Sequence, residues 1–404
     1  MRESRSDRPG VVVPTGHDPA SYTCVRSLAK RGIHTIVASE KHPPAAASRF
    51  CGEEATLPPP RDDILAYRDA LLELAARPSV RTVVPVRPDD VYVLSKFRGQ
   101  FTEHVSLPLL PFDRLQGSCD RMRLVDAAQE AGVPVPRTRL LTDDVDIDRP
   151  SIVKSRYNIL VDEHVATFGP SELDVVKRFW HVSPEEQIDW VSIRREMRHT
   201  PIVQDFVRHD DMYVFGALYD RGEPLVTFQH RQIRGKSYTG GGGVYRESVS
   251  NPELEAVGRR LLDHLEWHGP ACIEYMREEE TGEYVLTEIN PRMWQSLPTA
   301  VLAGADFPYY YWLLATGRPE EVRQGYELGV GTHQLYGELG YLDSIRHDDS
   351  LLVTRPSLSR AALSVLVSCV TDPHFDVLHL DDPSPFVSGV AKAVRKLPVH
   401  KWSG

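Results

Sequence analysis

The chain has 404 residues, a formal net charge of −10, and hydrophobic and charged contents of 41% and 26%. This length is typical of two or three domains with cores of their own, and the composition is ordinary for a soluble protein. Because the charge balance is acidic, we expect no nucleic-acid partner. The five cysteines are scattered without a CxxC spacing, so they indicate neither a disulfide framework nor a zinc knuckle.

The two ends of the sequence carry no targeting or membrane signal. The first ten residues, MRESRSDRPG, lack the apolar region of a secretory signal. Near the other end, the longest apolar stretch is AALSVLVSCV, which is too short to span a bilayer. We therefore expect a cytoplasmic protein without a membrane partner.

The first 115 residues follow the pattern of a small parallel α/β domain. GVVVPTG predicts a buried strand, ASYTCVRSLAKRG an amphipathic helix closed by Gly32, and IHTIVAS the next strand. DILAYRDALLELAAR and VRTVVPV predict another helix and another strand. The loop PTGHDPAS lacks GxGxxG, so the dinucleotide fingerprint is absent, and His17 is interpreted as an ordinary loop histidine.

The middle of the chain alternates helix, strand and turn signals. CDRMRLVDAAQEAG predicts a helix, and DRPSIVKSRYN predicts a short strand with Lys154 near its end. PIVQDFVRHDDMYVFGALYDRGEPLVTFQHRQIR predicts three alternating strands, and YTGGGGVYRES a glycine-rich loop. Beyond about residue 325, short helices and strands mix. The fold class is therefore α/β (α+β), with a parallel domain followed by an antiparallel sheet with helices.

The stretch GEYVLTEINPRMWQS, residues 282–296, predicts a strand that ends in a polar cluster. Side chains at i and i+2 point to the same face of a strand, so Glu288 and Asn290 share one face. Strict alternation puts Tyr284 and Leu286 on that face as well. Polar residues are common on the solvated side of an antiparallel strand, so this pair alone is a weak signal.

The strand before it, GPACIEYMREEE, strengthens the signal. A three-residue hairpin loop ending in glycine would pair Glu279 with Glu283. Counting outward places Glu274 opposite Glu288, with about 4.5–5.5 Å between their Cβ atoms. Like charges at this distance destabilise a sheet unless a cation lies between them, and an oxygen set completed by Asn290 suits magnesium. A chance pair of exposed glutamates is less favoured, because the earlier strand is largely apolar.

Several features in chain order resemble the ATP-grasp superfamily, particularly its carboxylate–amine ligase-like members related to the large chain of carbamoyl-phosphate synthetase. Arg121 follows an Asp at a helix start, Lys154 closes a strand, and IVQDF precedes Asp211; the glycine-rich loop, Glu274 and E-I-N-P-R follow. The resemblance implies a pre-ATP-grasp α/β domain at 1–115. It implies an ATP-grasp domain at 116–325, with the nucleotide and metal site between its two lobes, and a C-terminal extension at 326–404 packed on that domain.

The resemblance also implies the cofactor ATP and a residue set that binds it. Arg121 and Lys154 would hold the ATP phosphates. Asp205 and Val207 would lie at the adenine, mainly through backbone groups. Asp211 would accept hydrogen bonds from the ribose hydroxyls.

The metal and the moving phosphoryl group would be held next to each other. By the same resemblance, Glu274, Glu288 and Asn290 would bind one or two Mg²⁺ (or Mn²⁺) ions between the phosphates. Arg292 would clamp the γ-phosphate or the substrate carboxylate, a task for which the planar guanidinium is well suited. Pro291 fixes φ at the strand exit and would aim Arg292 towards the metal face.

Arg234 is the third predicted catalytic residue, beside Arg292 and Lys154. Together with Arg231 and Arg246 it flanks four consecutive glycines. Successive free N–H groups can form a nest for an anion, whereas a glycine run is more often a flexible linker. The nest is favoured here because the loop is rich in cations and joins two predicted core strands.

These residues predict an ATP-dependent ligase that activates a carboxylate as an acyl phosphate for attack by an amine. The expected partners are those two small molecules, and family analogy adds a possible homodimer. One departure from the family is the segment after Lys154, SRYNILVDEHVATFG, which is almost without glycine. There Tyr157 or Asn158 would replace backbone contacts to phosphate. The alternative is a regulatory or structural ATP/Mg-binding protein without ligase turnover.

Overall fold

A computed structural model describes residues 8–142, 145–176, 178–184, 189–350 and 353–396. The chain begins with a parallel sheet of four strands in the order β3-β2-β1-β4, as the βαβ pattern predicts. Its strands are β1 (Gly10–Pro14), β2 (His34–Ser39), β3 (Glu53–Thr56) and β4 (Val80–Val83). The accompanying helices are α1 (Pro19–Lys30), α2 (Ile64–Ala75), α3 (Pro88–Lys96) and α4 (Arg98–Thr102). Gly32 follows α1 with φ +80°, the left-handed value that ends a helix.

Two helices and a small antiparallel sheet come next. The helices are α5 (Phe112–Cys119) and α6 (Arg121–Glu130). The sheet has the order β5-β8-β6-β7. Its strands are β5 (Thr138–Leu140), β6 (Ser151–Lys154), β7 (Phe179–Val182) and β8 (Ile202–Asp205), and helix α7 (Trp190–Met197) packs on it. Lys154 therefore closes a central strand, as the sequence predicts.

A sheet of six strands forms the largest layer, in the order β13-β12-β9-β10-β11-β14. Its strands are β9 (His209–Asp220), β10 (Glu223–Ser237), β11 (Gly240–Ser248), β12 (Gly269–Glu278), β13 (Tyr284–Asn290) and β14 (Gly331–His333). Helix α8 (Pro252–His264) packs against the apolar face, where a core cluster includes Phe215, Leu261, Tyr275 and Ile289. The other face is polar and turns towards the small sheet.

The final segment is tied into the large sheet. Its helices and those just before it are α9 (Leu297–Leu302), α10 (Phe307–Ala315), α11 (Leu335–His347), α12 (Leu358–Thr371) and α13 (Ser384–Lys396). Strand β14 pairs with β11, so the chain beyond residue 326 supplies an edge of the sheet. Among the described residues, no helix is long and apolar enough to cross a membrane.

The pairing of β12 with β13 confirms one sequence prediction and corrects another. Glu274 faces Glu288, as predicted. The turn is one residue longer than predicted, because Glu278 bonds to Glu283 and the pairing near the turn is Arg277 with Tyr284. A β-bulge between positions 274 and 275 restores the register. The two deviations cancel at the acidic pair.

The bulge also changes which side chains share a face. Strict alternation put Tyr284 and Leu286 beside the acidic pair, but both belong to the core cluster on the other side of the sheet. The extra residue is Thr287, whose hydroxyl donates to the Glu274 carbonyl at 2.9 Å. A β-bulge re-aims side chains in this way, because one residue is left unpaired.

The glycine run 240–243 is not a free loop between two strands. It opens strand β11 within the β10–β11 hairpin, and Gly240 and Gly241 have φ values of +132° and +94°. Buried carboxylates of the C-terminal segment neutralise two of the flanking arginines. Arg234 pairs with Glu338 and Arg246 with Asp376, each at 2.7 Å. The predicted cation-rich loop is therefore wrong for these two side chains.

The glycine-poor segment after Lys154 is fastened to its surroundings. Arg156 donates to Asp120 at 2.6 Å, and the ring of Tyr157 stacks on His164 with centroids 4.0 Å apart. Further along, the Tyr92 hydroxyl of α3 donates to Glu163 at 3.1 Å. Side-chain contacts thus hold this segment where a glycine-rich loop was absent from the sequence.

Candidate functional site

A cleft of about 770 Å³ lies between the small sheet and the polar face of the large sheet. Pockets of several hundred Å³ are typical of small-molecule sites. From the small sheet and the segment after it come Ile152, Lys154, Tyr157, Asn158 and Phe179. From the large sheet and the loop after β13 come Met212, Val214, His230, Gln232, Gly241, Gly242, Gly243, Glu274, Thr287, Glu288, Asn290, Arg292, Trp294, Gln295 and Ser296. Arg121, at the start of α6, also lines it.

A chain of hydrogen bonds joins the charged groups on the cleft floor. Arg121 donates to Glu288 at 3.2 Å, and its other nitrogen donates to the Ser155 carbonyl at 3.0 Å. The Asn290 amide donates to Glu288 at 2.7 Å. Arg292 donates to the Asn290 side-chain oxygen at 3.1 Å. The cluster is therefore preorganised, with its members oriented by one another.

The electrostatics of this cluster lack a compensating positive charge next to Glu274. Burial raises the pKa of Glu274 to about 8, and the facing Glu288 carboxylate adds to the rise. Burial disfavours the charged form of Glu288 too, but Arg121 and the Asn290 amide outweigh it and hold its pKa below the ordinary value. Burial lowers the pKa of Lys154 to about 8, and Arg121 acts in the same direction. Bound cation and bound phosphate would reverse these shifts.

Several polar atoms that line the cleft are buried without a hydrogen-bond partner among the described residues. They include donors on Arg121, Arg292 and Trp294, and acceptors on Asn158 and His230. An unsatisfied buried polar group costs about 1–3 kcal/mol, so such atoms gather where a ligand completes them. This set offers both donors and acceptors to a polar ligand.

His230 is an acceptor of defined orientation in this set. Its Nε2 lies 2.7 Å from the Ser296 hydroxyl, and its Nδ1 has no partner among the described residues. Burial lowers the pKa of His230 to about 3, so the ring is neutral at physiological pH. The ring can therefore accept a hydrogen bond but cannot act as a general base near neutral pH.

No family model matches this chain. A stretch of 91 residues is 35% identical to acetyl-CoA carboxylase 2 of Oryza sativa subsp. japonica; it is 21% of this chain and 4% of the carboxylase. The chain therefore spans a small part of the length of that curated relative.

Two solved structures cover most of the chain. One is the biotin carboxylase domain dimer of Hydrogenobacter thermophilus 2-oxoglutarate carboxylase, in complex with MgADP, ADP and bicarbonate. It aligns with a TM-score of 0.60 at 14% identity, over 80% of this chain and 73% of that one. The L-amino acid ligase from Bacillus licheniformis aligns with a TM-score of 0.56 at 14% identity, over 80% and 79%. This chain has the ATP-grasp fold.

The ATP-grasp cleft brings together six of the predicted site residues. They are Arg121, Lys154, Glu274, Glu288, Asn290 and Arg292, and they come from α6, β6, β12, β13 and the turn after β13. Three are close in sequence, but the other three meet them only through the stacking of the two sheets. This group is the part of the site that the sequence identified.

Arg234 lies outside the ATP-grasp cleft. Its side chain is 7% exposed, and it donates to Glu338 of α11 and to Ser364 of α12 at 3.0 Å. The bulge in the β10–β11 pairing between Gln232 and Arg234 turns the side chain to the opposite face. The structure therefore makes Arg234 an anchor for the C-terminal helices rather than a cleft residue.

The predicted nucleoside-binding residues lie at the connection between the two sheets, beside the lining of the cleft. Asp205 is bound by Arg139 at 3.1 Å, and Val207 is buried. Asp211 lies 3.7 Å from Arg231, while the next residue along β9, Met212, lines the cleft. Their contact with a nucleoside stays a prediction.

The sequence interpretation missed the apolar and aromatic lining. Phe179 is 56% exposed in the cleft wall, and Trp294 is buried in its floor. A methyl group at Gly216 would lie 2.8 Å from the Trp294 ring, so glycine on β9 makes room for the indole. Trp294 follows Arg292 by two residues, which was the available signal. Phe179 carried none, because a lone aromatic in a short strand usually belongs to a core.

The acidic pair fits a divalent cation by its chemistry. Glu274 and Glu288 face each other in a partly enclosed cleft, and Glu288 retains 32% side-chain exposure, so water and ions can reach it. Their oxygens and the Asn290 oxygen are ligands that Mg²⁺ prefers. In the described part of the chain, no three His, Cys, Asp or Glu side chains gather as a metal cluster, because the third group here is an amide.

Proposed function

We propose that this protein is an ATP-dependent ligase that joins a carboxylate to an amine. The observation that carries the proposal is the Glu274–Glu288 pair, flanked by the cations Arg121, Lys154 and Arg292 on the floor of an ATP-grasp cleft. Phosphoryl transfer needs a cationic environment for the moving group, and a binding module has no need of such a set. The ATP-grasp fold by itself would support only nucleotide binding.

In this proposal the phosphates of ATP lie against Arg121 and Lys154. Glu274, Glu288 and Asn290 would hold one or two Mg²⁺ (or Mn²⁺) ions, which supply charge neutralisation to the phosphates when bound. The proton on Glu274 would leave as the cation binds, since a hard cation requires the carboxylate form. Lys154 would regain its charge beside the phosphates, because anions favour the ammonium form.

The nucleoside would occupy the apolar end of the cleft. Ile152 and Phe179 of the small sheet face Met212 of the large sheet across the opening, and the half-exposed Phe179 ring offers a surface for the base. The backbone at Asp205 and Val207 would bind the adenine edge. Asp211 would accept from the ribose hydroxyls after a rotation of its side chain.

Arg292 is the residue that would act on the reacting groups. A carboxylate oxygen of the substrate attacks the γ-phosphorus, and ADP leaves with the electron pair of the broken P–O bond. The amine then attacks the acyl carbon, phosphate leaves, and the amine proton passes to phosphate or water. The Arg292 fork can hold two oxygens of the γ-phosphate or of the carboxylate during the first step.

His230 would orient the amine. Its neutral ring presents Nδ1 as an acceptor into the cleft, with Ser296 fixing the ring through Nε2. An amine N–H can donate to Nδ1 while its lone pair points at the acyl carbon. This arrangement positions the nucleophile without requiring proton transfer to the histidine.

The test is ADP release that depends on both added substrates. Purified protein is incubated with ATP and Mg²⁺, with panels of carboxylates and amines added singly and in pairs. The proposal expects ADP and phosphate in equal amounts when an accepted pair is present. ATP binding without turnover for every pair would instead favour the regulatory or structural alternative.

We also infer that the protein forms a homodimer through helix α12. Four exposed apolar side chains at i, i+3, i+4 and i+7 form one stripe along this helix: Leu363, Leu366, Val367 and Val370. Their exposed fractions lie between 52% and 71%. Apolar patches of this kind mark interaction sites, and a two-fold contact would cover the stripe with its own copy.

A further inference from the structure

A second cavity, of about 600 Å³, lies beside the cleft. One wall is the loop after β1 and the start of α1, residues 16–22. The opposite wall is the C-terminal segment, with Gln334 to Tyr336 at the start of α11, residues 375–378, and helix α13. Its size matches a small-molecule site.

This second cavity and the ATP-grasp cleft meet at one hydrogen bond. Gln295 lines the cleft, Gln334 lines the second cavity, and the two side-chain amides bond at 3.0 Å. The charge of Arg292 acts on Asp18, which lines the second cavity at the N-cap of α1. A molecule in the second cavity therefore lies close to the proposed reaction centre.

The walls of the second cavity are largely apolar and aromatic. Tyr336 and Phe386 stack with centroids 5.7 Å apart, and the Tyr336 hydroxyl donates to the Phe386 carbonyl at 3.1 Å. A methyl group at Gly389 would lie 2.9 Å from that hydroxyl, so the glycine lets α13 approach closely. Phe375 and Leu378 extend the apolar lining. Such walls suit an apolar or aromatic body.

The rim carries basic side chains that the protein does not neutralise. Lys41 and Lys392 line it, and neither has an acidic partner at ion-pair distance among the described residues. Burial lowers the pKa of His17, and the nearby Lys392 charge acts in the same direction. In a chain with a net charge of −10, unpaired cations at a cavity mouth favour an anionic ligand.

The acidic residues of the lining are already engaged. Asp18 caps α1, accepting from the Ser21 backbone at 2.9 Å and from the Ser21 hydroxyl at 3.1 Å. Asp376 is bound to Arg246 at 2.7 Å. The charge available to a ligand is therefore mainly positive, which disfavours a cationic group near the rim.

We propose that the second cavity binds the carboxylate substrate, and that this substrate has an apolar or aromatic body with a second anionic group. The second anion would meet Lys41 and Lys392 at the rim. The body would lie between Tyr336, Phe386 and Phe375, and the reacting carboxylate would reach Arg292 past the Gln295–Gln334 bond. The inference rests on the proposed ligase function and gives its substrate class.

The test compares two acids that share one body. Phenylpropionate has one carboxylate and phenylsuccinate has two, and calorimetry measures the binding of each in the presence of a non-hydrolysable ATP analogue. We expect phenylsuccinate to bind about tenfold more tightly, since hydrogen bonds to charged groups are the stronger ones. The double variant Lys41→Ala/Lys392→Ala should lose that preference, whereas Lys30→Ala on the outside of α1 should keep it.

Three results would overturn the inference: equal binding of the two acids by wild type, an unchanged preference in the double variant, or no binding of either acid. The same samples are assayed for ADP release with ATP and an amine mixture. Binding of phenylsuccinate with the expected preference, but without acid-dependent ADP release for any acid, would remove the ligase function and leave the binding site. The two failures are therefore distinguishable.

Discussion

The Glu274 carboxylate faces Glu288 across strands β12 and β13, and Arg121 binds Glu288 at 3.2 Å. The arginine thus supports one member of the pair directly, while burial and like charge raise the pKa of the other to about 8. This asymmetry is what a site for a divalent cation requires before the cation binds. The first prediction follows from it.

Glu288→Gln should abolish ADP formation while the fold stays intact. The amide keeps the shape of the side chain but removes a hard anionic ligand and the partner of Arg121. ADP release at limiting Mg²⁺ is the measurement, with circular dichroism to check folding. Glu283→Gln, an exposed position on the same hairpin, is the matched control. Wild-type activity of Glu288→Gln at limiting Mg²⁺ would refute the metal assignment.

Lys154→Ala should weaken the binding of ATP more than the binding of adenosine. The ammonium group lies on the cleft floor near Glu274 and Glu288, where it would contact phosphates and not the base. Loss of a hydrogen bond to a charged group predicts about 10- to 100-fold weaker ATP binding. Calorimetry with both ligands checks this, and equal weakening of the two would make Lys154 a structural residue.

Arg292→Lys should retain ATP binding and lose turnover. Lysine keeps the charge but loses the planar fork that holds two oxygens at once. Removal of one such transition-state contact typically costs about 10²–10³ in rate. Steady-state kinetics with an accepted carboxylate, or slow ATPase activity without one, provides the measurement. Turnover like that of wild type at normal ATP affinity would take Arg292 out of the mechanism.

Arg234→Met should lower stability rather than turnover. The substitution leaves Glu338 buried without its arginine, and breaking a buried pair typically costs about 3–5 kcal/mol. Denaturant unfolding measures the loss, and turnover is compared per folded molecule. Arg231→Met, at a half-exposed neighbour, should change the free energy of unfolding little. A stable Arg234→Met protein without turnover would return Arg234 to the reaction.

Leu366→Glu on α12 should convert a dimer into a monomer. The substitution places a charge in the middle of the apolar stripe, where a two-fold contact would bury it against its own copy. Light scattering coupled to size exclusion gives the mass of each protein. Leu380→Glu is the control, since Leu380 is 99% exposed and lies outside the stripe. A monomeric wild type would contradict the proposed assembly.

The sequence by itself determined the local chemistry of the floor. The E-I-N-P-R strand, the acidic strand before it, and the βαβ start are all encoded within short segments, where period-two alternation and turn residues act directly. The facing of Glu274 and Glu288 was predicted correctly, although by a shorter turn than the real one. The prediction held because the extra turn residue and the bulge at Thr287 shift the register in opposite directions.

Tertiary structure alone decided which side chains enter the cleft. Arg234 and His230 sit four residues apart on β10, yet a bulge sends Arg234 to the C-terminal helices while His230 faces the cleft. Alternation cannot foresee a bulge, because a single extra residue reverses every face beyond it. The second cavity is still less visible in the sequence, since its two walls are more than 300 residues apart and meet only when β14 joins the sheet and α13 packs beside the first helix.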